Sequence, residues 1–172
     1  MKNLLKINKT KLENVYKVET PQTLFKDKRG YFIETYNKLF YEQKLPKINF
    51  VQDDISISKK NVLRGFHGDH RTWKLVSCSF GKIYFVVLNC NPKSKLFGKW
   101  ESFILTHTNY TQILIPPSYG NAYYVLSDYA VFQYKQSQYY QGMKKQFTYK
   151  WNDPAFKVKW PCKKPILSKR DS

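Results

Sequence analysis

The chain has 172 residues, about one domain's length, which argues against a two-domain enzyme with a separate cofactor module. Thirty Lys and Arg against twelve Asp and Glu give a formal charge of +18, a field that attracts phosphate. The basic residues are scattered, cluster only mildly at Lys2 to Lys11 and Lys157 to Arg170, and match no nucleic-acid-binding module. The field is therefore read as steering a phosphorylated small molecule, with no nucleic acid as partner.

Fourteen tyrosines and twelve phenylalanines favour strands. In chain order, Leu12 to Glu19 alternates as a strand and a turn follows at Pro21. The polar turn Asp27-Lys28-Arg29-Gly30 leads into an aromatic strand at Tyr31 to Glu34. Asn37 to Lys44 is predicted as one short helix, capped by Asn37 and stopped before Pro46. Beyond it the reading is almost wholly β: Asn49 to Ser58, Leu75 to Phe80, Ile83 to Asn89, Trp100 to Leu105, Ile113 to Pro117, Ala122 to Leu126, Tyr129 to Lys135 and the alternating piece Phe156 to Trp160. Short strands at regular intervals without helical periods indicate an all-β sandwich or barrel. Cys78, Cys90 and Cys162 are odd in number and lack a CxxC pair, so neither a disulfide framework nor a zinc site is expected. No segment has signal-peptide or membrane-spanning character; a cytoplasmic protein with no membrane partner is expected.

The stretch Val62 to Lys74, VLRGFHGDHRTWK, sets Arg64, His67 and Lys74 on short apolar segments whose alternation suits β-strands with one side chain in two pointing inward. A histidine titrating near about 6.5 serves as a base at neutral pH, and nearby cations attract an anionic substrate. Alone, each has a plainer reading: a structural histidine, two surface charges, and, for Tyr134, one aromatic among many. His67 with His70 also raises a metal site, but strand alternation puts them on opposite faces, and no His-x-His with a nearby glutamate occurs.

Ordered blocks running from about Phe25 to Asp171 resemble the nucleotide-sugar epimerases typified by dTDP-4-dehydrorhamnose 3,5-epimerase. They include D-x-R-G-x-F-x-E at Asp27 to Glu34, F-V-Q-D at Phe50 to Asp53, L-R-G-x-H at Leu63 to His67, K-L-V at Lys74 to Val76, N-P-K-S-x-x-F-G at Asn91 to Gly98, W-N-D-P at Trp151 to Pro154 and L-S-x-x-D at Leu167 to Asp171. The resemblance implies a single domain over 1–172, a cupin-type jelly roll with one or two short helices. It also implies an epimerase that inverts C3, or C3 and C5, of a nucleoside-diphosphate 4-keto sugar through an enolate, in surface polysaccharide biosynthesis, with no metal or redox cofactor.

By the same resemblance His67 is the base, Asp171 the carboxylate that orients it, Tyr134 the acid and Lys74 the cation at the keto oxygen. Arg64 supports that oxyanion or a phosphate, and Arg29, Glu34, Gln52 and Tyr140 bind the nucleotide. A homodimer is implied in which an N-terminal arm and hairpin (about 1–36) lie at the interface, the hairpin reaching the neighbour's site. Asp171 is one residue from the end of the sequence, where disorder is the usual expectation.

The chain departs from the family pattern in three places. Asn121 replaces a second site histidine, Asp54 stands where a neutral amide is usual and would repel a diphosphate, and Asp69 replaces a glutamine. These departures resemble the branch acting on GDP-4-keto-heptoses in capsule synthesis. A 3,4-ketoisomerase, which usually has histidines in place of Tyr134, and a non-catalytic sugar-nucleotide-binding cupin are the alternatives.

Overall fold

A computed structural model describes residues 5–19 and 24–172, so the turn expected at Pro21 lies outside the described residues. Near the N-terminus the strand expected at 12–19 is confined to β2 (Tyr16–Glu19), and a strand not expected from the sequence, β1 (Lys6–Lys9), precedes it across a turn. The Thr10 hydroxyl holds that turn over the first half of the expected run: it donates to the carbonyls of Leu12 and Val15 (3.2 and 3.0 Å) and accepts from the Leu12 amide, and Asn14 takes a positive φ of 57°. A hairpin follows, β3 (Leu24–Asp27) and β4 (Gly30–Ile33), then the short helix α1 (Lys38–Glu42), whose first turn is capped by the Asn37 side chain accepting from the Phe40 amide.

The remaining strands are β5 (Gln52–Lys59), β6 (Leu63–Gly68), β7 (Lys74–Phe80), β8 (Lys82–Asn89), β9 (Trp100–Thr106), β10 (Thr111–Ile115), β11 (Tyr119–Val125), β12 (Tyr129–Gln136) and the two-residue β13 (Phe147–Thr148). They form a six-stranded sheet in the order β1-β2-β10-β7-β12-β5 and a five-stranded sheet in the order β13-β6-β11-β8-β9. Every named pairing is antiparallel, so the fold is the all-β sandwich expected.

Strand β8 shows why its sequence, KIYFVVLN, is apolar almost throughout. Ile83, Phe85 and Val87 enter the core between the sheets with Val76, Ile113 and Phe132, while Val86 and Leu88 point the other way. There they meet Phe66, Ala122 and Phe156, and the chain after Phe147 is laid over this outer face by Tyr149, Val158 and Trp160. The alternation in Phe156 to Trp160 is therefore not a strand. Lys157 has a positive φ of 51°, and indole N–H groups take the carbonyls of Phe156 and Trp151, so the aromatic side chains pack without a ladder. A third cluster, Leu5, Val18, Tyr41, Leu45, Ile48, Leu75 and Leu114, seats α1 against the six-stranded sheet.

Candidate active site

Between the sheets opens a cavity of about 900 Å³. The five-stranded sheet supplies Arg64 and His67 from β6 and Asn121 and Tyr123 from β11. The six-stranded sheet supplies Ser56 from β5, Lys74 from β7, and Phe132, Tyr134 and Gln136 from β12. The imidazole of His67 and the phenol of Tyr134 thus belong to facing sheets and line one space.

Strict alternation would turn Arg64 and His67, three residues apart, to opposite faces. The pairing with β11 prevents this: His67 is opposite Asn121 and Arg64 opposite Tyr123, so β6 advances three residues while β11 advances two. That bulge re-aims the strand and brings both side chains into the cavity. Gly65 sits inside it with φ of 107°, and a Cβ there would collide with the Asn121 carbonyl and with Ala122.

His67 is paired. Its Nε2 lies 2.6 Å from Oδ1 of Asp171, which also accepts the Gly65 amide at 3.3 Å, and the other carboxylate oxygen accepts the Ser168 hydroxyl at 2.8 Å. Asp171 is only 3% exposed, so the terminal disorder expected by default is not what is found. Burial pushes its carboxyl upward, but the hydrogen bonds from His67 and Ser168, the charge of His67 and the Gly65 amide outweigh it and hold the group below the usual range. With Nε2 committed to Asp171, Nδ1 is the ring nitrogen left for a substrate proton.

Tyr134 is pushed up to about 12, first by burial, then by the negative field of Asp54 and by Tyr123 and Tyr140, with Arg64 opposing. It therefore holds its proton at any physiological pH. Asp54 is not the diphosphate-repelling group expected from sequence. It does not line the cavity, and its carboxylate accepts from the amides of Gln52 (2.9 and 3.1 Å) and Gln136 (2.8 Å).

Lys74 is 8% exposed, forms no ion pair among the described residues, and places Nζ 5.9 Å from the Tyr134 ring centroid. Burial pulls its pKa below the ordinary lysine range, Asp69 and Asp54 pull the other way, and Arg170 adds to the lowering. Such a cation is suited to charge that appears on a ligand oxygen. Lys74→Met, which keeps the stem and removes the charge, is expected to lower kcat by about 10²–10³-fold in steady-state assays. Because the charged form is disfavoured, the wild-type ammonium loses its proton at lower pH than a free lysine. The alkaline limb of the rate profile should fall there and move upward in Lys74→Arg, whose charge does not titrate in that range.

Of the other residues singled out in sequence, Arg64 donates Nε to Ser58 (3.0 Å) at the wall, and Asn121 and half-exposed Tyr140 complete the lining. Gln52 stands behind the wall, accepting the Tyr140 amide at 2.8 Å. Arg29 and Glu34 are not brought to this cavity. Arg29 is on the β3–β4 hairpin with its side chain 88% exposed and paired to Asp27, and Glu34 accepts from Asn37 at 3.4 Å. His70 bonds Ser118 outside the cavity. Sequence reasoning passed over Phe132 and Gln136, which share the alternation of Tyr134, and Met143, Lys144, Gln146, Ser168, Lys169 and Arg170, which reach the cavity from a single 3-10 turn (Met143–Lys145) and from irregular backbone with no periodic signal.

The sequence model of the dTDP-4-dehydrorhamnose 3,5-epimerase family matches residues 9–172. The chain belongs to that family. It is 38% identical over 154 residues to the dTDP-4-dehydrorhamnose 3,5-epimerase of Salmonella typhimurium, covering 87% of this chain and 84% of that one. It is 37% identical to the enzyme of the same description from Escherichia coli K12, covering 97% and 91%. Among solved structures, a dTDP-6-deoxy-D-glucose-3,5-epimerase from Legionella pneumophila in complex with dTDP-4-keto-L-rhamnose superposes with a TM-score of 0.90 at 33% identity, covering 97% and 89%. Membership makes this chain an isomerase of the epimerase class with the cupin-type fold, and the cavity just described is its candidate active site. No helix among the described residues is long and apolar enough to cross a membrane.

Proposed function

We propose that this epimerase inverts C3 and C5 of a dTDP-linked 4-keto-6-deoxy sugar in deoxysugar biosynthesis. The observation that carries the reading is the Asp171-backed His67 on one sheet and the protonated Tyr134 on the other, lining one cavity. The C4 ketone acidifies the neighbouring C–H bonds. Nδ1 of His67 takes the C3 proton, the electron pair moves into the ring to give an enolate, and negative charge gathers on O4 near the Lys74 ammonium. Tyr134 then delivers a proton to the other face of the same carbon, and repetition at C5 completes the change.

The nucleotide is assigned from the relatives. Those 36–38% identical to this chain are described as dTDP-sugar 3,5-epimerases, which favours dTDP over the GDP-linked heptose expected from the departures in the sequence. One of those departures also loses its force, since Asp54 is held by two amides behind the wall. The test is proton NMR in D₂O with dTDP- and GDP-linked 4-keto sugars. Deuterium should enter C3 and C5 of the dTDP substrate. Exchange confined to the GDP series would overturn the nucleotide assignment, a ketone moved to C3 would indicate an isomerase, and no exchange in either series would sink the reading.

A dimer with exchanged hairpins fits the apolar groups left exposed on the β3–β4 hairpin, Phe25 and Phe32, and on the edge strand, Ile55 and Ile57, each more than 60% exposed. Light scattering is expected to give the mass of two chains. Arg29→Ala, removing a charged hydrogen bond from the neighbour's nucleotide site, should raise KM by about 10-fold or more with little change in kcat. A single-chain mass would contradict this arrangement.

A further inference from the structure

Beyond the bridge of Ile166 to Val62, the final turn is attached to the body of the protein, among the described residues, by hydrogen bonds from only two side chains. One is Asp171, bonded to His67 and the Gly65 amide. The other is Arg170. Its Nε and Nη2 both donate to the Thr148 hydroxyl, at 3.1 and 2.9 Å, and Nη2 also donates to the Gln146 side-chain carbonyl at 3.1 Å. Thr148 is no arbitrary anchor, because in the β13–β6 pairing it is the residue opposite His67. The remaining bonds of the turn, Asp171 amide to Ser168 carbonyl, Ser168 hydroxyl to Asp171 and Ser172 hydroxyl to Lys169 carbonyl, are internal and cannot fix it to the sheet.

We propose that Arg170 is a positioning residue for the base: clamped on Thr148 beside His67, it holds the final turn so that the Asp171 carboxylate stays on the imidazole. A buried carboxylate gains little from leaving water unless its partners are fixed, and one side chain alone is a weak anchor for a turn that no strand pairing holds. The planar fork of Arg170 meets Thr148 with two donors at once, a geometry that a lysine ammonium does not reproduce. The same guanidinium faces the cavity, so an alternative role, contact with the substrate's phosphates, makes a different prediction.

The proposal rests on the epimerase reading for its kinetic arm only. In free enzyme, the short His67–Asp171 hydrogen bond should give a far-downfield imidazole N–H proton resonance. Arg170→Gln is expected to lose or broaden that signal without any substrate present, Arg170→Lys to retain part of it, and Lys163→Gln, an exposed charge outside the cavity, to leave it unchanged. Kinetically, Arg170→Gln should lower kcat about 10–100-fold with KM nearly constant, and the Arg170→Gln/Asp171→Asn double variant should be no worse than Asp171→Asn alone. Raised KM with unchanged kcat and an intact resonance would overturn the proposal in favour of phosphate binding. Additive losses in the double variant would overturn it as well. Because the resonance is read without substrate, failure of the epimerase reading leaves that arm decisive.

Discussion

His67→Asn is expected to abolish both epimerisation and deuterium incorporation at C3, with kcat/KM down by at least about 10³-fold, toward the upper end of what a positioned proton-transfer group supplies. Asparagine reaches only to the place of Nδ1, so Asp171 loses its imidazole bond but keeps the Gly65 amide and the Ser168 hydroxyl, and asparagine cannot accept a proton at neutral pH. The loss is therefore of chemistry rather than of fold. Circular dichroism and melting should stay close to wild type while solvent exchange disappears. The variant that still exchanged C3 at a comparable rate would show that some other group removes the proton, and His67 would then be a structural histidine bonded to a buried carboxylate.

Tyr134→Phe should separate two events that the wild type performs together. The variant retains the base and Lys74, so C3 hydrogen still exchanges with solvent from the His67 face, but inversion falls by about 10²–10³-fold because the ammonium on the opposite sheet serves O4 and the acid assigned to the carbon is gone. The phenol is suited to this role because burial and the nearby Asp54 charge hold its proton up to about 12, which keeps it an acid and never a competing base. NMR separates the outcomes: deuterium in recovered substrate without epimer is the expected pattern. Full inversion in Tyr134→Phe would remove the phenol from the mechanism.

Much of this was legible in the sequence. The strands around the cavity were found from alternation and turn residues, and the residues at its centre, His67, Tyr134, Lys74 and Asp171, came from blocks resembling one family; the structure places all four in one space. What was not legible depends on events off the strands. Thr10 bonds the Leu12 and Val15 carbonyls and so turns the first half of an alternating run, and aromatic packing on the outer face imitated a strand at 156–160. The wall formed by Met143 to Gln146 and Ser168 to Arg170 comes from segments with no period, brought together by pairing between residues far apart in the chain. Asp54 looked hostile to phosphate from its charge alone, and only its two amide partners show that its field is spent on Tyr134 instead.

The uneven count between β6 and β11 has a consequence for how this strand tolerates change in length. Adding or deleting a single residue between Leu63 and His67 would rotate the imidazole out of the cavity and bring a side chain to the place where Gly65 meets the Asn121 carbonyl and Ala122 with no room for a Cβ. Such a protein would lose packing against β11 together with its base.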